Sequence, residues 1–220
     1  MYRILPLLTA AEAAACRRIA ATASFVDGRI TNPHNKSKNN EQIHDPVAQQ
    51  ETAALIGHAF ARSEEFKEFA FPVTIAPPMI TRYQPSMHYG AHADAAFLQL
   101  GAISIRSDLS CTIFLSDPAT YDGGALHVRL GDASLHFKLP AGNMIVYPSD
   151  TFHEVEPVTR GERMVAITFI QSRIADPFWR NLLFDLNEVA ALEGLKMNPS
   201  NFARLQLVQS NLLRRWADKP

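Results

Sequence analysis

Apolar and polar positions follow two rhythms along this chain, and the change falls near Pro78. Before it, Cys16, Ile19, Ala20 and Ala23 recur at helical spacing. They follow Thr9-Ala10-Ala11-Glu12, a capping box in which Thr9 accepts from the first turn and Glu12 reaches back. The spacing predicts a helix to about Ala23. Val47 to Ala61 predicts a second helix, with Leu55, Ile56, Ala59 and Phe60 on its apolar side, and Ser63 caps a short turn through Phe66 and Phe69. Between the helices, Asp27 to Pro46 is polar, rich in Asn and Lys, and has no period. It reads as a long mobile loop, with lid and inert connector both open, and Lys36 and Lys38 read as solvated.

From Pro78 the period becomes two. Strands are expected over Met79–Gln84, Tyr89–Ala93, Leu109–Ser116, Ala125–Leu130, Ser134–Leu139, Met144–Tyr147, Glu154–Val158 and Arg163–Gln171. Leu130-Gly131-Asp132-Ala133 fits a two-residue hairpin. Its flanks put Leu126, Val128, Leu130, Leu135, Phe137 and Leu139 inward, and His127, Arg129, His136 and Lys138 outward. Short strands separated by Gly, Pro and Asp turns predict a jelly roll, the double-stranded β-helix. The fold class is therefore mainly β with flanking helices. The tail is helical again. Asp176-Pro177 caps a helix with Phe178, Leu182, Leu186 and Val189 on one face, and Asn198-Pro199 opens a last one with Leu205, Val208 and Leu212. The expected division is 1–77 for helices and loop, 78–173 for the barrel, and 174–220 for a helical extension that braces the barrel or forms a homodimer face.

Composition narrows the partners. A net charge of −1 gives no basic field for nucleic acid or an anionic membrane surface. No apolar run is long enough to span a bilayer. Met1 to Leu8 is apolar but short, and Glu12 follows closely, so it is a poor signal peptide. Cys16 and Cys111 stand far apart without a CxxC, which favours a reducing cytoplasm.

The candidate chemistry centres on His92-Ala93-Asp94. Residues i and i+2 of a strand share a face, so one imidazole and one carboxylate converge. Alone, such a triplet is equally an exposed strand-end pair. His153, after the strand Met144–Tyr147 and a turn, falls in the second half of the barrel, where late strands lie beside early ones. Two imidazoles and one carboxylate on one octahedral face make the facial triad of non-haem Fe(II) oxygenases, whereas a structural zinc would want a fourth ligand. Arg163 shares a strand face with Val165, Ile167 and Phe169. An arginine turned inward needs an anion, and a ligand carboxylate would serve; the alternative is an arginine at the strand mouth in water. Tyr83 can donate to the same carboxylate, or simply pack. His34, His44, His58 and His88 read as surface, loop or entrance groups, and His127 and His136 as solvated.

These residues lie within a wider pattern. Arg82-Tyr83…Pro85…Tyr89…His92-x-Asp94 is followed by Asp108-Leu109-Ser110, Phe114-Leu115-Ser116-Asp117-Pro118 and Tyr121-Asp122-Gly123-Gly124. Leu139-Pro140-Ala141-Gly142, Tyr147-Pro148-Ser149, His153 and Pro157-Val158-Thr159-Arg160-Gly161 continue it. The chain resembles the Fe(II)- and 2-oxoglutarate-dependent dioxygenases of the prolyl 4-hydroxylase type, and among them the bacterial PKHD-type hydroxylases. The resemblance runs over nearly the whole chain. It implies His92, Asp94 and His153 as iron ligands and Arg163 and Tyr83 as partners of the distal carboxylate of 2-oxoglutarate. It also implies a strand hydroxyl in that pocket, Ser110 or Thr112. O2 is then a cosubstrate, ascorbate an accessory reductant to consider, and the product a hydroxylated peptide or small molecule. Ser86 departs from the glycine usual in the animal and algal enzymes, and Arg163 from their lysine. Two rival classes stay open: a sensor that binds metal and 2-oxoglutarate with little turnover, and a cupin-like binding protein or isomerase.

Overall fold

The computed structural model describes residues 1–218. The elements run β1 (Arg3–Pro6), α1 (Ala10–Thr22), β2 (Phe25–Asp27), β3 (Lys38–Asn39), β4 (Glu41–Ile43), α2 (Pro46–Arg62), α3 (Glu64–Ala70), β5 (Pro72–Ile75), β6 (Met79–Tyr83), β7 (His88–His92), β8 (Phe97–Leu100), β9 (Ile103–Arg106) and β10 (Leu109–Phe114). They continue with β11 (Asp122–Gly123), β12 (Leu126–Leu130), β13 (Ala133–Phe137), β14 (Asn143–Pro148), β15 (His153–Val155), β16 (Val158–Arg160), β17 (Arg163–Ser172), α4 (Pro177–Glu193) and α5 (Pro199–Trp216).

The caps explain where the helices begin. Both halves of the Thr9–Glu12 box are present. Asp45, Asp176 and Asn198 each accept from the first turn, with proline at the next position. All elements expected from the period are found, with one division: Pro157 separates β15 from β16, because proline has no N–H for the ladder.

Two antiparallel sheets form the jelly roll. The major sheet runs β1-β14-β10-β17-β6-β4-β2, with β5 also on β17, and the minor sheet runs β13-β12-β15-β7-β3. Strand alternation sorts the side chains of the major sheet. Cys111, Ile113, Met144, Val146, Met164 and Ala166 join a core with Cys16, Ile56, Phe60, Phe66 and Phe69 of the N-terminal helices. Phe114, Ile145, Tyr147 and Val165 face the other way, onto Leu126, Val128, Phe137 and Val155 of the minor sheet. Central strands are therefore buried on both faces, and each buried Leu, Ile or Phe contributes about 1.5–3 kcal/mol. Functional side chains project into the second layer, between the sheets.

Several details differ from the sequence reading. The apolar start, for which the period predicts no element, forms edge strand β1, paired to β14 from Arg3↔Val146 to Pro6↔Asn143. Residues 27–46 carry β3, β4 and a 3-10 turn at Gly28–Thr31. β3 pairs with β7 in the minor sheet and β4 with β6 in the major sheet, so this segment crosses from one sheet to the other. Strands of two or three residues are too short to show a period, which is why the sequence hid them. Lys38 is buried rather than solvated: β3 lays it against Tyr89, and its Nζ donates to Thr31 Oγ1 at 2.7 Å. The stripe Phe178, Leu182 and Val189 on α4 faces outward, while Leu183 and Phe184 make the core contact. No residue of α5 is buried. No helix among the described residues is long and apolar enough to cross a membrane.

Ser86 stands in the left-handed region, with φ of 75°, between β6 and β7. A side chain there costs about 1–2 kcal/mol, against about 0.5–1 kcal/mol for the extra freedom of glycine when unfolded. Ser86→Gly is expected to stabilise the fold by up to about 1 kcal/mol in a urea titration. A loss of stability would show that the serine side chain supplies something the backbone does not.

Candidate active site

His92 closes β7 and His153 opens β15, and the two are direct cross-strand partners. Their ring centroids lie 4.3 Å apart. Asp94, two residues past His92, turns back between them: its Oδ1 is 3.9 Å from His92 Nε2 and its Oδ2 3.7 Å from His153 Nε2. The three residues each offer a donor atom within 4.8 Å of the others. Backbone carbonyls fix both rings. His92 Nδ1 donates to Gly90 O at 2.8 Å, and His153 Nδ1 donates to Thr151 O at 3.0 Å. A carbonyl only accepts, so the proton sits on Nδ1 and the Nε2 lone pair of each ring faces the shared point. Burial, and next the neighbouring His153, hold His92 well below the usual imidazole range, which keeps that lone pair free.

A chain of hydroxyls holds the carboxylate. Ser110 Oγ donates to Asp94 Oδ2, and Ser110, Ser149 and Ser107 are linked through 2.8 Å contacts. The structure thus separates the two candidate strand hydroxyls. Ser110 is engaged with Asp94, while Thr112, one pleat deeper on β10, lies beside the Tyr147 phenol.

Arg163 opens β17 and pairs directly with Tyr83 on β6. It is 1 % exposed, and its Nε and Nη1 have no hydrogen-bond partner among the described residues. Its guanidinium lies over the rings of Tyr83 and Phe114, with centroids at 4.9 and 5.7 Å. The Tyr121 hydroxyl is also buried without a partner. Unpaired buried donors cost several kcal/mol in general, so this cluster is built for an acceptor that the chain itself does not supply. One cleft is lined by His92, Asp94, His153, Ser110, Thr112, Tyr83 and Arg163 together. Every site residue expected from the sequence is therefore brought to one place, and His88 lies outside the donor cluster.

Other residues of the cleft went unrecognised in the sequence. Tyr147 lines it from β14; burial, and next the Asp94 carboxylate, push its phenol well above its usual range, with Thr112 opposing. Tyr147 alternates inward with Ile145, a signal that a buried phenol would need a partner. Asn40, in the segment that crosses the sheets, donates from Nδ2 to Tyr83 Oη at 2.8 Å. Gly28 packs so tightly on it that a Cβ would stand 1.8 Å from Asn40 Oδ1. Tyr89 stacks on His92 with centroids 3.7 Å apart, and Asn32 Nδ2 donates to its hydroxyl at 3.1 Å. No period marks Asn32 or Asn40, so nothing in the sequence joined them to the site.

Burial lowers the Lys38 ammonium, which lies over the Tyr89 ring, to about 8 from 10.5. The unfolded chain keeps that proton up to about pH 10.5, and the folded chain releases it near 8. Stability is therefore expected to rise with pH across that window, and Lys38→Met should flatten the rise in denaturant midpoints. An unchanged slope in the variant would mean that Lys38 is solvated in solution.

A jelly roll that encloses a His-x-Asp…His cluster beside a buried arginine defines an iron-dependent oxygenase, and residues 78–171 match the 2OG-Fe(II) oxygenase superfamily. A PKHD-type hydroxylase from Sphingopyxis alaskensis is 57% identical over 98% of this chain and 99% of its own. The chain belongs to the PKHD-type hydroxylases of that superfamily, enzymes that use Fe(II), 2-oxoglutarate and O2. Among solved structures, a Pseudomonas putida prolyl-4-hydroxylase shares the fold with a TM-score of 0.53 and 20% identity, over 78% of this chain and 92% of its own. HygX from Streptomyces hygroscopicus, with nickel, 2-oxoglutarate and hygromycin B bound, has a TM-score of 0.56 and 13% identity, over 78% and 82%.

Proposed function

We propose that His92, Asp94 and His153 hold the Fe(II), that Arg163 and Tyr83 hold the distal carboxylate of 2-oxoglutarate, and that the enzyme hydroxylates an unactivated C–H bond of a peptide or small molecule. The observation that carries this reading is the buried Arg163, with two donor atoms unmet, in the same cleft as the His/Asp/His cluster. Two neutral imidazoles and a carboxylate suit Fe(II) and leave the remaining positions for cosubstrates. Fe(II) and 2-oxoglutarate held there would together reduce O2, one oxygen atom leaving in succinate as CO2 is lost and the other entering the product as its hydroxyl.

The chain's own part is orientation and shelter. The Nδ1–H bonds to Gly90 O and Thr151 O aim both imidazoles before metal arrives. Ser110 fixes the rotation of the Asp94 carboxylate. The guanidinium fork of Arg163 presents parallel N–H donors to a carboxylate, and the Tyr83 and Tyr121 hydroxyls stand beside it. Thr112 and Tyr147 line the path between metal cluster and arginine, and we assign the strand hydroxyl of the cosubstrate pocket to Thr112, since Ser110 is engaged. Leu126, Val155, Val165 and Ile167 complete the wall and exclude water. The prolyl-4-hydroxylase and the hygromycin B complex of like fold support a peptide and a small molecule equally.

The test is succinate release. Anaerobically prepared protein, given Fe(II), 2-oxoglutarate and O2, is assayed for succinate with proline-containing peptides and with pooled small metabolites. Succinate that depends on both metal and 2-oxoglutarate supports the assignment. Tight 2-oxoglutarate binding with no succinate under any of these conditions rejects it.

A further inference from the structure

On the outer face of the minor sheet, the two histidines that the sequence presents as solvated meet each other. β12 and β13 pair His127 directly with His136, and β12 and β15 pair His127 with Glu154. The two Nε2 atoms are in contact. Each ring is held from behind by a carboxylate: His127 Nδ1 lies 3.0 Å from Glu154 Oε1, and His136 Nδ1 lies 3.1 Å from Glu156 Oε1. A carboxylate accepts, so in the neutral rings the protons sit on Nδ1 and two Nε2 lone pairs face one another. Two lone pairs so close repel, and a cation shared by the two nitrogens, with the rings moved slightly apart, would remove that repulsion. A carboxylate behind each imidazole is also the arrangement that orients and strengthens histidine ligands. His127, His136 and Glu156 each offer a donor atom within 4.8 Å of the others.

We propose that this face binds a divalent transition cation of the zinc class, a second metal site apart from the iron centre. His127 and His136 supply Nε2, Glu154 and Glu156 support the two rings from behind through Nδ1, and water fills the remaining positions. Two imidazoles select Zn2+, Ni2+ or Cu2+ over the all-oxygen preferences of Mg2+ and Ca2+. The two carboxylates balance the charge of the cation. Access is open, because the His136 side chain is 53% exposed. Occupancy would tie β13, β12 and β15 together. β15 also carries His153 on its opposite face, in register with Val128, so the cation would brace the strand that positions the inner cluster.

Zn2+ is the probe, with the full chain stripped of metal. Wild type is expected to bind two equivalents by titration calorimetry, and His127→Gln/His136→Gln one. His92→Ala/His153→Ala, disabled at the inner site, should keep one equivalent and still melt at a higher temperature with Zn2+. Glu154→Gln should weaken the outer site about 10-fold or more, as loss of an outer support does. Two results overturn the proposal: equal stoichiometry in wild type and His127→Gln/His136→Gln, or no Zn2+ on His92→Ala/His153→Ala when circular dichroism shows it folded. The second would leave a shared proton between the rings. Succinate assays on His127→Gln/His136→Gln report the iron centre separately.

Discussion

Arg163→Ala is expected to raise the 2-oxoglutarate concentration needed for half-maximal turnover by about 30-fold or more, while Fe(II) still binds. Truncating one partner of a buried, hydrogen-bonded charge pair costs about 2–5 kcal/mol, and each 1.4 kcal/mol is about tenfold. Arg163 falls in that class because it is fully enclosed and its Nε and Nη1 find nothing else to bind. Removing it also spares the apo protein an unpaired buried guanidinium, which offsets part of the cavity left behind, and the variant should gain less thermal stability than wild type when 2-oxoglutarate is added. Arg163→Lys keeps the charge but loses the planar fork, and should fall between the two. Loss of iron from Arg163→Ala, with unchanged demand for 2-oxoglutarate, would show that the arginine supports the metal cluster instead.

His153→Ala should abolish metal-dependent succinate release and weaken Fe(II) by more than the ~10–100-fold that an outer support commands. The ring is one of three donors, its Nδ1 is already committed to Thr151 O, and no other histidine stands in the cluster to replace it. His88, four residues before His92, is the obvious substitute in sequence, but its Nδ1 turns to Ser86 O at 3.3 Å. Added imidazole should restore part of the metal binding, since it can fill the space of the deleted ring. Full turnover in the alanine variant would dismiss His153 as a ligand. Added 2-oxoglutarate gives a further check: it should still protect Arg163-bearing His153→Ala against heat more weakly than wild type, because one of its two anchors is gone.

Much of this was legible in the residues because the barrel has strict alternation. One period-two reading of β17 puts Arg163, Val165 and Ile167 on one side and Met164 and Ala166 on the other, and both assignments are met in the two cores. Alternation also placed His127 and His136 outward, whereas His92 and Asp94 meet by another route: β7 ends at His92, and the chain beyond it turns Asp94 back. What it could not give was anything set by cross-chain geometry. Ser110 and Thr112 share a face of β10, and only the return of Asp94 distinguishes them. Asn40 reaches Tyr83 through a crossing segment too short to carry a pattern. The meeting of His127 with His136 needed the register of two strands, and the grip of Glu156 on His136 needed a third. The hairpin β8–β9 is a different case: Leu98, Leu100, Ile103 and Ile105 alternate around Gly101, but its pairing is internal, with Phe97 and Ile103 left outside.

The direct opposition of His92 and His153 has a consequence for how the molecule is made. Those imidazoles come from strands far apart in the chain, so they meet only once a large loop has closed. An unfinished polypeptide thus has no cage in which to seize iron and squander oxygen on itself. Hazardous oxidation is licensed only once the architecture that confines it exists.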